Sequence, residues 1–260
     1  MNVKLLYVTP ELMNPTYTLE VNGITTKTLM SLSRHHTIQL TVQSSRYTMK
    51  KNFRSTTNKA DLVTLSTDIA VRELQLKQIN EIAVLISKNP DITQDELNLL
   101  LPQGYKYNLV MTLNKEALSH FYSLRNLDSQ AHRDMKELAE RVRKAVDYTL
   151  VLTATTNFTP LSVVARAISK CYSIEHRLDD GGEKDKALVK RVAGTYKHMS
   201  VLRHCTVILP DGSGKYSYYT ETKSGERRTV FNLQELLEMC KDSPNMITRV
   251  LPKEYSFLLQ

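Results

Sequence analysis

The chain has 260 residues, 41% of them hydrophobic, enough for one large domain or two small ones with a buried core. A formal charge of +8 and a pI near 9.3 favour an anionic partner, either a phosphate-bearing small molecule or nucleic acid; the basic residues are spread along the chain, which weakens the nucleic-acid reading. Cys171, Cys205 and Cys240 lie far apart with no CxxC pair, which argues against zinc or any other metal and against a disulfide framework, and makes a reducing cytoplasm the expected setting. No run approaches the ~18 apolar residues of a membrane span, and the first residues, MNVKLLYVTPEL, lack a signal-peptide layout.

In chain order, residues 3–8 (VKLLYV) read as a strand closed by Thr9-Pro10, and residues 16–22 (TYTLEVN) alternate as a second strand. Gly23 opens a helical pattern carrying Ile24, Leu29 and Leu32, and residues 37–43 (TIQLTVQ) return to period two. Arg34, His35 and His36 therefore fall at a helix-to-strand junction, with Ser44 to Tyr47 where that strand ends. Residues 48–66, polar and basic, read as an exposed loop. Residues 67–88 and 93–101 look helical, broken by Asn89-Pro90, with Thr93 as N-cap. Residues 113–125 and 129–147 have the strongest helical patterns, the latter placing Met135, Leu138, Ala139 and Val142 on one face. Residues 147–160 read as strand and turn, VVARAISKCYSI as helix, 179–184 as turn, 185–201 as helix and 205–209 (CTVIL) as strand before a DGSG turn. Residues 216–220 and 227–231 form a predicted hairpin around KSGE, and FNLQELLEMC a last short helix. Strands and long helices without regular βαβ alternation predict an α+β fold.

The residues able to carry chemistry admit two readings each. Arg34, His35 and His36 read as cations satisfying a helix C-terminus or, with Ser44, Ser45 and Arg46 at the other end of the strand, as anion ligands, since arginine offers a forked donor set and hydroxyls add short donors. Arg125 reads as another dipole partner, Asn114 as an N-cap, and His120 and His132 as surface residues. HExxH, P-loop and GxSxG motifs are all missing, so a nucleophile-based enzyme has little support.

Beyond these readings, the run VNGITTKTLMSLSRHHTIQLTVQSSRYTMK resembles flavin-dependent thymidylate synthases, with Arg34, His35 and His36 followed by Ser44, Arg46 and Tyr47 in the family's Arg-His-Arg and Ser-x-Arg-Tyr positions. LLPQGYKYNLVMTLNKEALSHFYSLR is similar to the family's Leu-Pro, Asn and Leu-Arg segment, and residues 131–136 resemble its Ala-Gln-x-Glu-Ile-Arg helix with one extra residue before it. Only about a dozen residues precede the 16–22 strand, and the second half resembles the family's missing N-terminal portion: TPLSVVARAISKCYS resembles its first helix, and DKALVKRVAGTYKHMSVLRHCTVIL its His-x-Ser-x-Leu-Glu-His segment. Residues 231–259 look like a second version of 77–109. The expected organisation is two partial, complementary copies of one fold, 1–147 and 148–260, with circular permutation plus an added tail as the competing account.

The resemblance implies a homotetramer with sites between subunits, where FAD and deoxyuridine monophosphate (dUMP) stack, NADPH reduces the flavin and 5,10-methylenetetrahydrofolate supplies a one-carbon unit to C5 of the pyrimidine. It implies that Arg34, His35, His36, Asn114, His198 and Ser200 contact FAD, that Ser44, Ser45, Arg46 and Tyr47 hold the nucleotide, and that Arg125 faces the pyrimidine, with Ser44, Arg46 and Arg125 as the catalytic set. Against the family's pattern, His36 replaces Arg, Gln39 replaces Ser, Thr41 and Val42 replace Asn-Glu, Glu116 replaces Arg and Arg203 replaces Glu. The product is expected to be thymidylate or a 5-hydroxymethyl nucleotide. The alternative is a non-catalytic subunit of the same fold or a basic nucleic-acid-binding protein. So many altered positions would suit a viral genome and a host-cytoplasmic protein.

Overall fold

The structure, a computed structural model, describes all residues except 10, 128–129, 152–158, 177–180, 211–216, 242–250, 252 and 259–260. Its first sheet is antiparallel, with β1 (Asn2–Val8), β2 (Thr16–Thr25), β3 (Gln39–Val42) and β4 (Lys106–Asn114) in the order β1-β2-β4-β3. Alternation gives the two faces opposite characters. Tyr17, Leu19 and Val21 of β2 and Leu109, Met111 and Leu113 of β4 point to one side, where they form a core with Met135, Leu138, Ala139, Val142 and Val146 of α6 (Arg133–Val151). Those five recur at helical spacing, so α6 lays one continuous apolar stripe on the sheet. α1 (Thr26–Leu32) and α5 (Lys115–Tyr122) close the ends of the same layer through Leu32, Ala117 and Phe121. Gly23 takes φ +78° where the β2–β4 register shifts between Asn22 and Ile24; this bulge requires the left-handed region that glycine enters without strain.

The opposite face of the sheet is polar, and the second half of the chain covers it. α7 (Pro160–Tyr172) sets Val163 and Ala167 against Leu6 and Val110, while Arg166 and Lys170 reach Glu20 of β2 at 2.6 and 2.7 Å. The other side of α7, through Leu161, Val164, Ala165 and Ile168, belongs to a separate core with α8 (Glu183–Val189), α9 (Leu233–Lys241) and the three-stranded antiparallel sheet of β5 (Thr206–Leu209), β7 (Arg227–Asn232) and β6 (Tyr218–Glu221). α7 is thus buried on two sides, which accounts for its Val- and Ala-rich composition. The second sheet also touches β2 directly, Tyr218 Oη lying 2.6 Å from Thr16 Oγ1. A third core joins α2 (Ser45–Ser55), α3 (Ile69–Lys88) and α4 (Gln94–Asn98) through Met49, Phe53, Ile79, Ile82, Ile86 and Leu97.

The α+β expectation holds, and several local expectations are corrected. Residues 48–66 are not an open loop: α2 occupies 45–55, with Thr48, Met49 and Phe53 buried, and a 3-10 turn follows at Lys59–Leu62. Its polar composition hid a helix whose inner face needs only a few apolar groups. β4 was not anticipated as a strand, because Val110 interrupts the alternation of Tyr107, Leu109, Met111 and Leu113 with Asn108 and Thr112 and leaves Leu-Val-Met as a short apolar run that fits helix or strand. Residues 148–151 continue α6 instead of starting a strand, since a helix already packed over four turns propagates through β-prone residues. Residues 152–158 of that predicted strand and turn lie outside the described residues, as does the DGSG turn; the last two residues of the former, Thr159 and Pro160, cap and start α7. The expected helix at 185–201 is α8 followed by a π turn (Lys190–Thr195) and a 3-10 segment (Met199–His204), broken where Lys197 takes φ +56°. Among the described residues no helix is long and apolar enough to cross a membrane.

Candidate functional site

The motif residues gather in two groups at the two ends of β3. At one end, α1 delivers His35 into a half-enclosed corner, where its ring lies 5.2 Å from Phe121 and 6.3 Å from His120. Arg125 Nε donates to His35 Nε2 at 2.8 Å, which leaves the imidazole proton on Nδ1. Burial, then the Arg125 charge, then His120 pull His35 down to about 4, so it is neutral at physiological pH. Its neighbours Arg34 and His36 are both exposed. Arg125 does not close α5 as expected: that helix ends at Tyr122, and Arg125 sits in a π turn, Ser123–Leu127, a widened turn of the kind often kept at functional positions. Asn114 caps α5, its Oδ1 accepting from Ala117 N at 2.8 Å.

At the other end, Ser44 is the N-cap of α2, and Ser45, Arg46 and Tyr47 form its first turn rather than the tip of a strand. Three properties suit this helix start to an anion. The Ser44 side chain makes no capping bond, the first turn holds no acid, and Arg46 projects from it, 66% exposed. Arg46 Nε is paired with Asp95 Oδ1 at 2.9 Å, an exposed contact that a phosphate could displace at little cost. Burial raises the Tyr107 phenol above its ordinary value, and the Ser45 side chain works against that shift.

Contacts from the second half hold this helix start in place. Ser44 N donates to Cys171 O at 2.8 Å and Gln43 Nε2 to Ser173 Oγ at 2.6 Å, while Lys51 Nζ donates to Ser173 O. Tyr47 and Tyr172 rings lie 5.4 Å apart, and Tyr172 Oη is 2.8 Å from His198 Nδ1. Burial lowers His198 below its ordinary value. The structure therefore joins Ser44, Ser45, Arg46 and Tyr47 of the first half to His198 of the second, with Ser200 two residues further on and half-buried. It does not bring these to His35, Arg125 and Asn114 within one chain, because β3 alone puts about 10 Å of strand between the groups.

Three residues were missed by sequence reasoning. Tyr172 links Tyr47 to His198; its place in the Cys-Tyr run was the available signal. Glu20 and His204 lie on the polar sheet face. His204 is fully buried, its Nδ1 2.8 Å from Thr112 Oγ1, which in turn meets Thr18 Oγ1 at 2.9 Å; its Nε2 has no partner, and burial pushes it down to about 3. Only the last motif position of its segment hinted at it.

The arrangement can bind two anions and stack planar rings on exposed Tyr47; it supplies no activated nucleophile. Comparison with known proteins agrees with the motif reading. The family described as thymidylate synthase complementing protein (Thy1) matches residues 11–149. Over 142 residues the chain is 27% identical to the flavin-dependent thymidylate synthase of Helicobacter pylori strain J99, covering 51% of this chain and 67% of that protein. The flavin-dependent thymidylate synthase of Wolinella succinogenes is 31% identical over 138 residues, 50% of this chain and 66% of that one. Among solved structures, Thymidylate Synthase X from Helicobacter pylori with FAD and dUMP is similar with a TM-score of 0.47 and 24% identity, covering 50% of this chain and 67% of that one. The UMP/dUMP methylase PolB from Streptomyces cacaoi gives 0.39 and 20%, covering 55% and 69%. The aligned part is thus about half of this chain and about two thirds of each relative.

Proposed function

Because the chain belongs to the thymidylate synthase complementing protein family, we propose that it binds dUMP and FAD and takes part in transfer of a one-carbon unit from 5,10-methylenetetrahydrofolate to C5 of the pyrimidine, yielding thymidylate or the 5-hydroxymethyl nucleotide. The observation that carries this reading is the α2 start: a helix N-terminus whose Ser44 side chain makes no capping bond, with no acid in its own first turn and a projecting Arg46, braced by α7 from the other half of the chain. There the nucleotide phosphate would take the N–H groups of Ser45 and Arg46 with the Ser44 hydroxyl and the Arg46 guanidinium, and Tyr47, whose N–H already donates to Ser44 O, would lie along the base.

The opposite corner fits the phosphates of FAD. Arg34 and His36 reach solvent, and neutral His35 accepts from Arg125 and so holds that guanidinium in place without repelling it. When bound, the flavin supplies the redox step, with NADPH as reductant. The chain's own groups position the rings and neutralise the anions. His198 and Ser200 would approach the flavin from the dUMP side and Asn114 from the α5 side. Since the two groups are separated by β3, a complete site on this reading draws them from different copies in a homo-oligomer. The contacts of α7 and His204 with the first sheet support a second half that completes the first, whether by partial duplication or by permutation.

A second reading, a non-catalytic relative of the same fold or a basic nucleic-acid binder, is favoured by one specific observation: Arg46 is already paired to Asp95. The readings separate on purified protein. The first expects a yellow protein, or one that takes up added FAD, and calorimetric dUMP binding that Arg46→Ala weakens by about 2–4 kcal/mol. A colourless protein indifferent to FAD, or unchanged dUMP affinity in that variant, would refute it.

A further inference from the structure

Among the described residues only two other than glycine take a positive φ, Ser173 at +47° and Lys197 at +56°. Ser173 directly follows Tyr172 and Lys197 directly precedes His198, the two side chains that meet at 2.8 Å through Tyr172 Oη and His198 Nδ1. The left-handed region costs free energy for a residue with a Cβ, so it persists only where surrounding contacts hold it, and such positions cluster at functional sites. Those contacts are present on both sides. Ser173 Oγ accepts from Gln43 Nε2 at 2.6 Å and its carbonyl accepts from Lys51 Nζ, which ties it to β3 and α2. His198 N donates to Val192 O at 3.1 Å across the π turn, and Met199 N to Lys197 O at 3.0 Å. The Lys197 side chain is exposed and makes no bond within the described residues, so its backbone conformation serves to place His198.

The hydrogen bond between the pair has a direction. A phenol O–H is the better donor and an unprotonated imidazole nitrogen the better acceptor, and the Tyr172 hydroxyl has no other partner among the described residues. Tyr172 Oη therefore donates to His198 Nδ1, and the proton of the neutral ring sits on Nε2. Burial raises Tyr172 and lowers His198 from their ordinary values, which keeps both in the forms this bond requires. The two rings also meet edge to face, 5.8 Å apart at 84°, which restrains the imidazole plane. Nε2 has no partner among the described residues and is not enclosed, so its N–H is a fixed donor at a half-buried surface. Exposed Tyr47 stands next to it, its ring 5.4 Å from that of Tyr172.

We propose that Tyr172 is a positioning residue that presents His198 as a neutral hydrogen-bond donor, its Nε2–H serving a ring carbonyl of a planar heterocycle that lies on Tyr47. The ligand class follows from the donor: a neutral imidazole N–H polarises a carbonyl without adding a charge to the site. Uracil and isoalloxazine both offer such carbonyls. The ligand half of the proposal rests on the nucleotide and flavin reading above; the Tyr172–His198 half does not.

Two-bond proton–nitrogen spectra of the full chain at neutral pH test the pair without any ligand. His198 should show a protonated Nε2 and a hydrogen-bonded, unprotonated Nδ1, and Tyr172→Phe should move Nδ1 towards the shift of a free imine nitrogen. A proton on Nδ1, or an Nδ1 shift indifferent to Tyr172→Phe, would overturn the proposal. Separate titrations with FAD and with dUMP test the donor and assign the ring it serves. For that ligand His198→Ala should weaken binding by about tenfold, and Tyr172→Phe by several-fold. His198→Gln, whose amide N–H reaches the Nε2 position, should stay within about threefold of wild type. Equal losses in His198→Gln and His198→Ala, or no loss in His198→Ala for either ligand, would overturn the donor role. A wild type that binds neither ligand would refute the nucleotide and flavin reading and the ligand half with it, while the spectra still decide the Tyr172–His198 half.

Discussion

Glu20 offers the sharpest test of how the two halves are joined. Its side chain is 4% exposed, accepts from Arg166 Nε at 2.6 Å and Nη2 at 3.2 Å, and meets Lys170 Nζ at 2.7 Å; Asn22 adds a further bond at 2.8 Å. Burial alone would raise its pKa, but the hydrogen bonds from Arg166, Lys170 and Asn22 and the Lys170 charge outweigh it, holding the carboxyl at about 2 against an ordinary 4.5. At 1.36 kcal/mol per unit that difference has an upper value of about 3.4 kcal/mol. Arg166 and Lys170 keep 31% and 20% of their side chains in water, and screening there reduces the figure to about 2 kcal/mol. Glu20→Gln keeps the shape and removes the charge, so urea unfolding at pH 7 should show a loss of about 2 kcal/mol. The sign with pH follows from a depressed acid: its stabilisation is complete above about 4.5 and lost as pH falls towards 2. The gap between wild type and variant should therefore shrink to about a quarter of its size near pH 2.5. A gap under about 0.5 kcal/mol at pH 7, or one that persists undiminished in acid, would refute the reasoning.

Three more outcomes are expected. Asp95→Asn releases Arg46 and should tighten dUMP binding several-fold while moving stability by less than about 0.5 kcal/mol, since the ion pair is exposed; weaker binding would show that Asp95 positions Arg46 instead of competing for it. His204 is held neutral, near 3 against an ordinary 6.5, so the folded state loses stability as pH falls below 6.5 and the unfolded chain gains the proton first. His204→Phe should flatten that slope by about one proton between pH 6 and 4 in denaturation series, and an unchanged slope would assign it to other groups. Phe53→Ala should cost about 3–4 kcal/mol, because the ring is 2% exposed and stacks on Tyr105. A cost below about 1 kcal/mol would mean that α2 is not packed as described.

The helices with repeated apolar positions were legible from sequence because their partners are dictated by period alone: α6 shows its stripe at 135, 138, 139, 142 and 146, and Thr93 caps α4 as its residue type suggested. The hairpin of β6 and β7 was equally local, its Gly225 taking φ +86°. The short-range motifs that point to an anion at Ser44–Arg46 were legible for the same reason, since they depend on residue type and spacing.

Sequence by itself therefore determined the α+β class, most of the helices and the residues that match the family's motifs. Tertiary structure decided that Ser44–Tyr47 begins a helix, that β4 is a central strand, and that Cys171, Tyr172 and His198 stand beside that helix while His35 and Arg125 stand at the far end of β3. The physical reason is range. Capping, period and charge spacing act over a few residues and are written along the chain, whereas Glu20 meeting Arg166 across 146 positions, or His204 meeting Thr112 across 92, depends on which face each sheet and helix turns inward.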